Sequence, residues 1–256
     1  MDLGLGGKVA IVTGGTQGIG KATAARMVAE GARVAIAARD RARLDAVVAE
    51  LGGPGKVLGV QADMGKVADC ERLVAETVRT FGRLDILVNN AGTSASGKFD
   101  AQTDAIWQAD FDVKLFGAIR LVRLAIPHMQ KQGGGRIINV TNIGAKQPRA
   151  GSLPTSVTRA AGLALTKGLS KEYAKDGILV NTVCIGLIQA GQHETRAKSR
   201  GMSVEDLYKE QAKDIPLGRV GRAEEAANVI TFLCSEAASY VTGTSVNLDG
   251  GASGVL

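Results

Sequence analysis

The sequence predicts an α/β fold in which a parallel sheet is covered by helices on both faces. Three observations carry this. Seven short β-type runs recur from end to end. Each is nearly continuous in apolar residues, as strands buried on both faces require. Helical patterns separate them, which implies parallel strands joined by right-handed crossovers.

The runs, in order, are "KVAIVT" (8–13), "RVAIAA" (33–38), "KVLGV" (56–60), "LDILVN" (84–89), "GRIINVT" (135–141), "ILVNTV" (178–183) and "TSVNL" (244–248). "GKATAARMVAEGA" and "RAEEAANVITFLCSE" are examples of the helical stretches between them. No linker, repeat or low-complexity segment interrupts the 256 residues, so one domain over 1–256 is predicted. The longest stretch without a clear pattern is "LIQAGQHETRAKSRGMSVEDLYKEQAK", about 187–213. Following a strand end, it is placed either as a substrate lid or as a pair of surface helices.

Composition excludes several classes. At 45% hydrophobic and 22% charged residues the chain is an ordinary globular protein, and 34 glycines with 4% aromatics suit close helix–sheet packing. The net charge of +6 comes without a block of like charges or interleaved aromatics, so a nucleic-acid partner is not indicated. Some of that charge is available to anionic ligands. Cys70, Cys184 and Cys234 are widely spaced, without CxxC or a nearby histidine. They read as core residues of a reducing, cytoplasmic compartment, not as a disulfide set or metal site. The start lacks a signal-peptide pattern, and no apolar run approaches the ~18 residues of a membrane span.

"VTGGTQGIGKATA" (12–24) places Gly14, Gly18 and Gly20 between the first strand and a helix. Glycine allows the sharp turn and a close phosphate, and the helix N-terminus offers N–H groups and a positive dipole end. In the first βα unit this is a dinucleotide loop, with Thr16, Gln17 and Ile19 completing it. After the second strand come Ala38 and Arg39. A guanidinium there suits a ribose 2′-phosphate, favouring NADP, with NAD the alternative because Asp40 follows directly.

With these residues in place, the chain resembles the short-chain dehydrogenase/reductase family, in the single-domain form of bacterial ketoacyl reductases. "TGGTQGIG" matches the cofactor loop, Ala62–Asp63 the adenine-contacting pair, and "NNAG" (89–92) the motif beside the cofactor; 217–251 matches the closing segment. The resemblance implies a seven-stranded Rossmann sheet and a homotetramer or homodimer paired through the long helices after strands four and five. It also implies a cofactor site of the loop residues with Ala38, Arg39, Asp63, Met64, Asn90, Ala91, Gly92, Thr141, Arg159, Gly186 and Ile188.

The same resemblance locates four changes. Gly117, Pro127 and Met129 hold the spacings that follow the family's Asn, which puts Lys114 in its place. Asn142 stands at the Ser position, Thr155 at the Tyr position thirteen residues on, and Arg159 at the Lys position four beyond. A phenol starts near pKa ~10 and is pulled down by a neighbouring ammonium; a threonine hydroxyl is a far weaker acid, and arginine keeps its proton. Losing the general acid alone costs ~10²–10⁴ in rate. Arg159 retains a charge for the nicotinamide ribose, and Asn142 can donate to a substrate oxygen. Two adjacent cations would depress the Lys114 pKa and make it an acid/base; alternatively Lys114 snorkels or pairs with a carboxylate.

Further departures are Ile185–Gly186 for the family's Pro–Gly, and Ala190 for a threonine. Replacement acids in the 187–213 stretch are His193, Glu194 and Tyr208, with a solvated His193 the ordinary expectation; His128 is expected to be structural. Three functions stay open: an oxidoreductase acting on a carbonyl, alcohol or anionic substrate by an atypical mechanism; a lyase or isomerase with a structural cofactor; and a non-catalytic NADP(H)-binding module.

Overall fold

The computed structural model describes residues 2–256, apart from the side chains at 192 and 194–196. The first half runs β1 (Val9–Thr13), α1 (Gly18–Ala29), β2 (Arg33–Ala38), α2 (Arg41–Glu50), β3 (Val57–Gln61), α3 (Val67–Phe81) and β4 (Ile86–Asn89). The second half runs α4 (Asp104–Phe111), α5 (Gly117–Lys131), β5 (Gly135–Asn142), α6 (Thr155–Glu172), β6 (Ile178–Ile185), α7 (Gly191–Ser199), α8 (Val204–Ala212), α9 (Ala223–Leu233) and β7 (Ser245–Leu248). Seven strands form one parallel sheet in the order β3-β2-β1-β4-β5-β6-β7. This is the Rossmann arrangement, and its order reverses beside β1.

Alternation along each strand divides the core into two layers. Ala10 and Val12 of β1 face Met27 of α1 and Ile230 of α9, whereas Ile11 faces Leu73 of α3 and Leu121 of α5. These side chains are fully or almost fully buried. The strands therefore carry apolar residues at nearly every position.

Boundaries moved where polar side chains intervene. The predicted strand at 84–89 starts at Ile86, and Asp85 just before it accepts from the Val9 amide at 2.8 Å and from Arg83. β6 continues two residues past the expected end, to Ile185, because it pairs with β7 that far.

Two features place the site. The 187–213 stretch contains the helix pair α7 and α8; Ser203 caps α8, its hydroxyl accepting from the Asp206 amide at 3.0 Å. Between α4 and α5 the chain widens into one π-helical turn, Asp112–Phe116. Such turns redirect side chains and recur at functional sites; this one carries Lys114. Among the described residues no helix is long and apolar enough to cross a membrane.

Candidate active site

The predicted cofactor residues gather along the C-terminal edge of the sheet. The Thr13 hydroxyl, at the end of β1, accepts from the amides of Asn90 and Ala91 at 2.9 Å each. Asn90 Nδ2 donates back to the Thr13 carbonyl at 2.8 Å. These bonds fix the "NNAG" backbone against the glycine loop. Gly14 (φ 66°) and Gly18 (φ 52°) adopt the left-handed backbone that favours glycine. At Gly20 the reason is space: a Cβ would lie 2.2 Å from the Gly14 carbonyl oxygen. Thr16 and Gln17 sit at the loop surface, and Ile19 is buried beneath.

At the end of β2 the two neighbouring charges are treated differently. Asp40 caps α2, accepting from the Arg43 amide at 3.1 Å and pairing with the Arg43 side chain at 3.3 Å. Its carboxylate is occupied, while the Arg39 side chain is exposed. Arg43, which the sequence reading missed, also reaches the loop and donates to Gln17 Oε1 at 3.3 Å. Asp63 follows β3 and accepts from the Gly65 amide at 2.9 Å; Met64 is buried behind it.

On the far side of β4, Lys114 and α6 meet. Thr155 and Arg159 lie one turn apart on α6. Lys114 Nζ donates to the Thr155 hydroxyl at 2.9 Å and forms an ion pair with Asp110, in which both side chains are 2% exposed. Asp110 takes a second bond from the Thr158 hydroxyl at 2.6 Å. Asp110 was not singled out from the sequence; its signal was the i, i+4 spacing to Lys114 on one helical face. Burial and the Arg159 guanidinium push the Lys114 pKa down to about 8, with Asp110 opposing. Burial likewise lowers Arg159 to about 10, opposed by Asp110.

The Arg159 guanidinium donates to the Val140 carbonyl at 2.6 Å, and its Nε has no partner among the described residues. Lys114 and Arg159 line a cavity of about 20 Å³ with Asn89, Asn139, Thr141 and Thr158, room for about one water. Gly92, with φ 151°, has both cations at its back: a Cβ there would meet them at 3.1 Å. The Thr141 hydroxyl lies 3.1 Å from Cys184 Sγ. Asn142 ends β5, and its Oδ1 is buried and unpartnered among the described residues. The space at Gly144 is bounded by this oxygen and by the hydroxyl of Ser156, next to Thr155.

Past β6, Gly186 packs where a Cβ would fall 2.7 Å from Asp249 Cβ, and Ile188 is buried. Ala190 comes close to Gly18, 3.8 Å from where a Cβ would be. His193 corrects an expectation: it is 7% exposed, packed edge-on against Tyr208 with ring centroids 5.6 Å apart. The side chain of Glu194 lies outside the described residues. His128 sits in the last turn of α5. Tyr173 ends α6 and Tyr240 is fully exposed. Among the described residues, no tyrosine lines the cavity.

The chain matches the family described as enoyl-(acyl carrier protein) reductase over residues 14–253. It is 37% identical over 250 residues to dehydrogenase/reductase SDR family member 4 of Oryctolagus cuniculus, covering 97% of this chain and 94% of the relative. It is 35% identical over 253 residues to the 3-oxoacyl-(acyl-carrier-protein) reductase of Aquifex aeolicus, covering 98% and 99%. L-sorbose reductase from Gluconobacter frateurii, solved with NADPH and L-sorbose, superposes with a TM-score of 0.93 at 35% identity over all of both chains. The chain belongs to the short-chain dehydrogenase/reductase family.

Proposed function

We propose that this chain is an NADP(H)-dependent oxidoreductase of small carbonyl or alcohol substrates, in which Thr155, Arg159, Asn142 and Lys114 occupy the places of the family's Tyr, Lys, Ser and Asn. The observation that carries the reading is the pairing of an intact nucleotide cradle with a Lys114–Thr155 hydrogen bond where a phenol would stand. The loop around Gly14, Gly18 and Gly20 fits a dinucleotide, since its backbone leaves space only glycine can leave. The unpartnered Arg159 Nε fits a ribose hydroxyl. When bound, the cofactor supplies or accepts hydride.

NADP is favoured over NAD because Asp40 is tied into the cap of α2, while Arg39 at the end of β2 is exposed and Arg43 reaches the glycine loop at Gln17. The structural relative's complex with NADPH agrees with this. Asn142 and the exposed residues before α6 offer the substrate its polar contacts, and α7–α8 is the segment that would cover it. Val157 on α6 and Phe116 before α5, 40% and 41% exposed, favour assembly into a dimer or tetramer through these helices. Three unpaired, buried cysteines suit the cytoplasm.

The test is NADPH and NADH oxidation against a panel of ketoses, 3-oxoacyl thioesters and simple ketones. The reading expects turnover with NADPH. Tight NADPH binding without turnover would favour a binding module. Chemistry that leaves the cofactor's redox state unchanged would favour a lyase or isomerase.

A further inference from the structure

A hydroxyl and a guanidinium do not supply protons near neutrality, so an oxidoreductase built this way needs another source. Thr155 Oγ1 accepts two hydrogen bonds, from Lys114 Nζ at 2.9 Å and from the Ala95 amide at 3.0 Å. Both lone pairs are then used. The one proton of that hydroxyl has no acceptor among the described residues, although Thr155 is only 4% exposed. A buried donor without an acceptor is costly, and it is where an incoming oxygen gains most.

We propose that Asp110, Lys114 and Thr155 form a proton line ending on the substrate oxygen, with Thr155 as the group that touches substrate, Lys114 as the acid behind it and Asp110 as the residue that positions Lys114. The inference rests on the oxidoreductase reading above. When hydride from a reduced nicotinamide dinucleotide adds to a carbonyl carbon, the C=O π electrons move to oxygen, which then needs one proton. Thr155 gives its hydroxyl proton to that oxygen and takes one from Lys114 in the same event, so the threonine never stands as an alkoxide. Lys114 becomes a neutral amine beside the Asp110 carboxylate and is reprotonated from water. Alcohol oxidation runs the line backwards.

The groups around Lys114 support this. Asp110 of α4 holds the ammonium, and Arg159 of α6 repels it. Residues 90–97 after β4 and 139–142 of β5 carry no charged side chain; Cys184 of β6 lies behind Thr141. Burial and Arg159 lower the Lys114 pKa to about 8, within reach of its work at neutral pH. Thr158 fixes the second Asp110 oxygen, so the carboxylate cannot turn away.

The experiment pairs two readouts on the full-length chain. Carbon-13 lysine NMR of the cofactor-free protein follows the charge of Lys114, assigned by the loss of its signal in K114M and, should that variant unfold, in the double variant D110L/K114M. Carbonyl reduction is followed against pH in the same proteins. The expected result is a Lys114 titration near pH 8, a reduction rate that falls above that pH, and an oxidation rate that rises. In D110N both the titration and the limb move to lower pH. T155V lowers kcat by about a hundredfold and leaves the Lys114 titration in place, while T155S restores kcat. Carbonyl reduction with Lys114 still charged up to the ordinary lysine range, or T155V with unchanged kcat, overturns the line and leaves the oxidoreductase reading standing. A Lys114 that titrates near pH 8 in a chain that reduces no carbonyl overturns both.

Discussion

The two halves of the sheet edge obey different rules. Around β1 and α1 the requirement is on the backbone: φ near +60° at Gly14 and Gly18, and space at Gly20 for the Gly14 carbonyl. Glycine meets these conditions, and a residue with a Cβ would be strained or would clash. Around Lys114 and α6 the requirement is on side chains that must donate, accept and hold charge. There a different set can close its own hydrogen bonds, as Asp110, Lys114, Thr155 and Thr158 do. The comparison teaches that the glycine loop is constrained by backbone shape, whereas the cluster around Lys114 is held by the connectivity of its side-chain hydrogen bonds.

The sharpest way to break the first half is Gly20→Ala. Its Cβ meets backbone, so overpacking costs about 3 kcal/mol or more, and NADPH binding measured by fluorescence titration falls on the order of a hundredfold. For the second half, K114M leaves the Asp110 carboxylate buried without its partner. It loses about 3–5 kcal/mol in chemical denaturation. The double variant D110L/K114M removes both charges and is as stable as the parent or more so. That contrast separates the fold's need for the pair from any catalytic need.

Smaller effects sharpen the boundary between the halves. Arg39→Ala weakens NADPH by about ten- to a hundredfold, the size of a charge-assisted bond, and leaves NADH nearly unchanged, as isothermal titration would show. Stability against pH carries its own sign. The folded pKa of Lys114, about 8, lies below its unfolded value, so the unfolded chain binds more protons between those two values. Stability therefore rises with pH across that window, and the rise is absent in D110L/K114M. The smallest effect is expected at Glu225, which Arg219 grips at 2.6 and 2.8 Å and which is held down to about 2. That contribution is present above the ordinary carboxylate range and fades as pH falls toward about 2. With Glu225 29% exposed, Glu225→Gln costs less than about 1 kcal/mol at neutral pH.

Much of this was legible in the sequence, for reasons that differ by element. The strands and the glycine loop could be read because doubly covered strands leave continuous apolar runs and tight turns leave glycines. The sequence anticipates the crowding of Lys114 with Arg159 but carries no signal for the meeting of Lys114 with Thr155, since 41 residues separate them. Asp110 is visible as an i, i+4 acid, but that spacing is common on solvated helices, and its burial comes from α6, where Thr158 bonds it. The π-helical turn at Asp112–Phe116 has no local marker such as proline within it. The helix α8 did have one: Ser203 before Glu205 and Asp206 is an N-cap with an acidic first turn. Asp40 follows β2, where a ribose ligand would stand, yet its place three residues before Arg43 makes it a cap.

The most direct measurement is NADPH oxidation by the wild-type chain and by D110L/K114M, across the carbonyl panel and across pH. The account predicts that wild type turns over at least one small carbonyl, with activity falling above about pH 8. The double variant binds NADPH as tightly and turns over about a hundredfold more slowly. A double variant as active as wild type would contradict it, as would a wild-type chain that holds NADPH and reduces nothing.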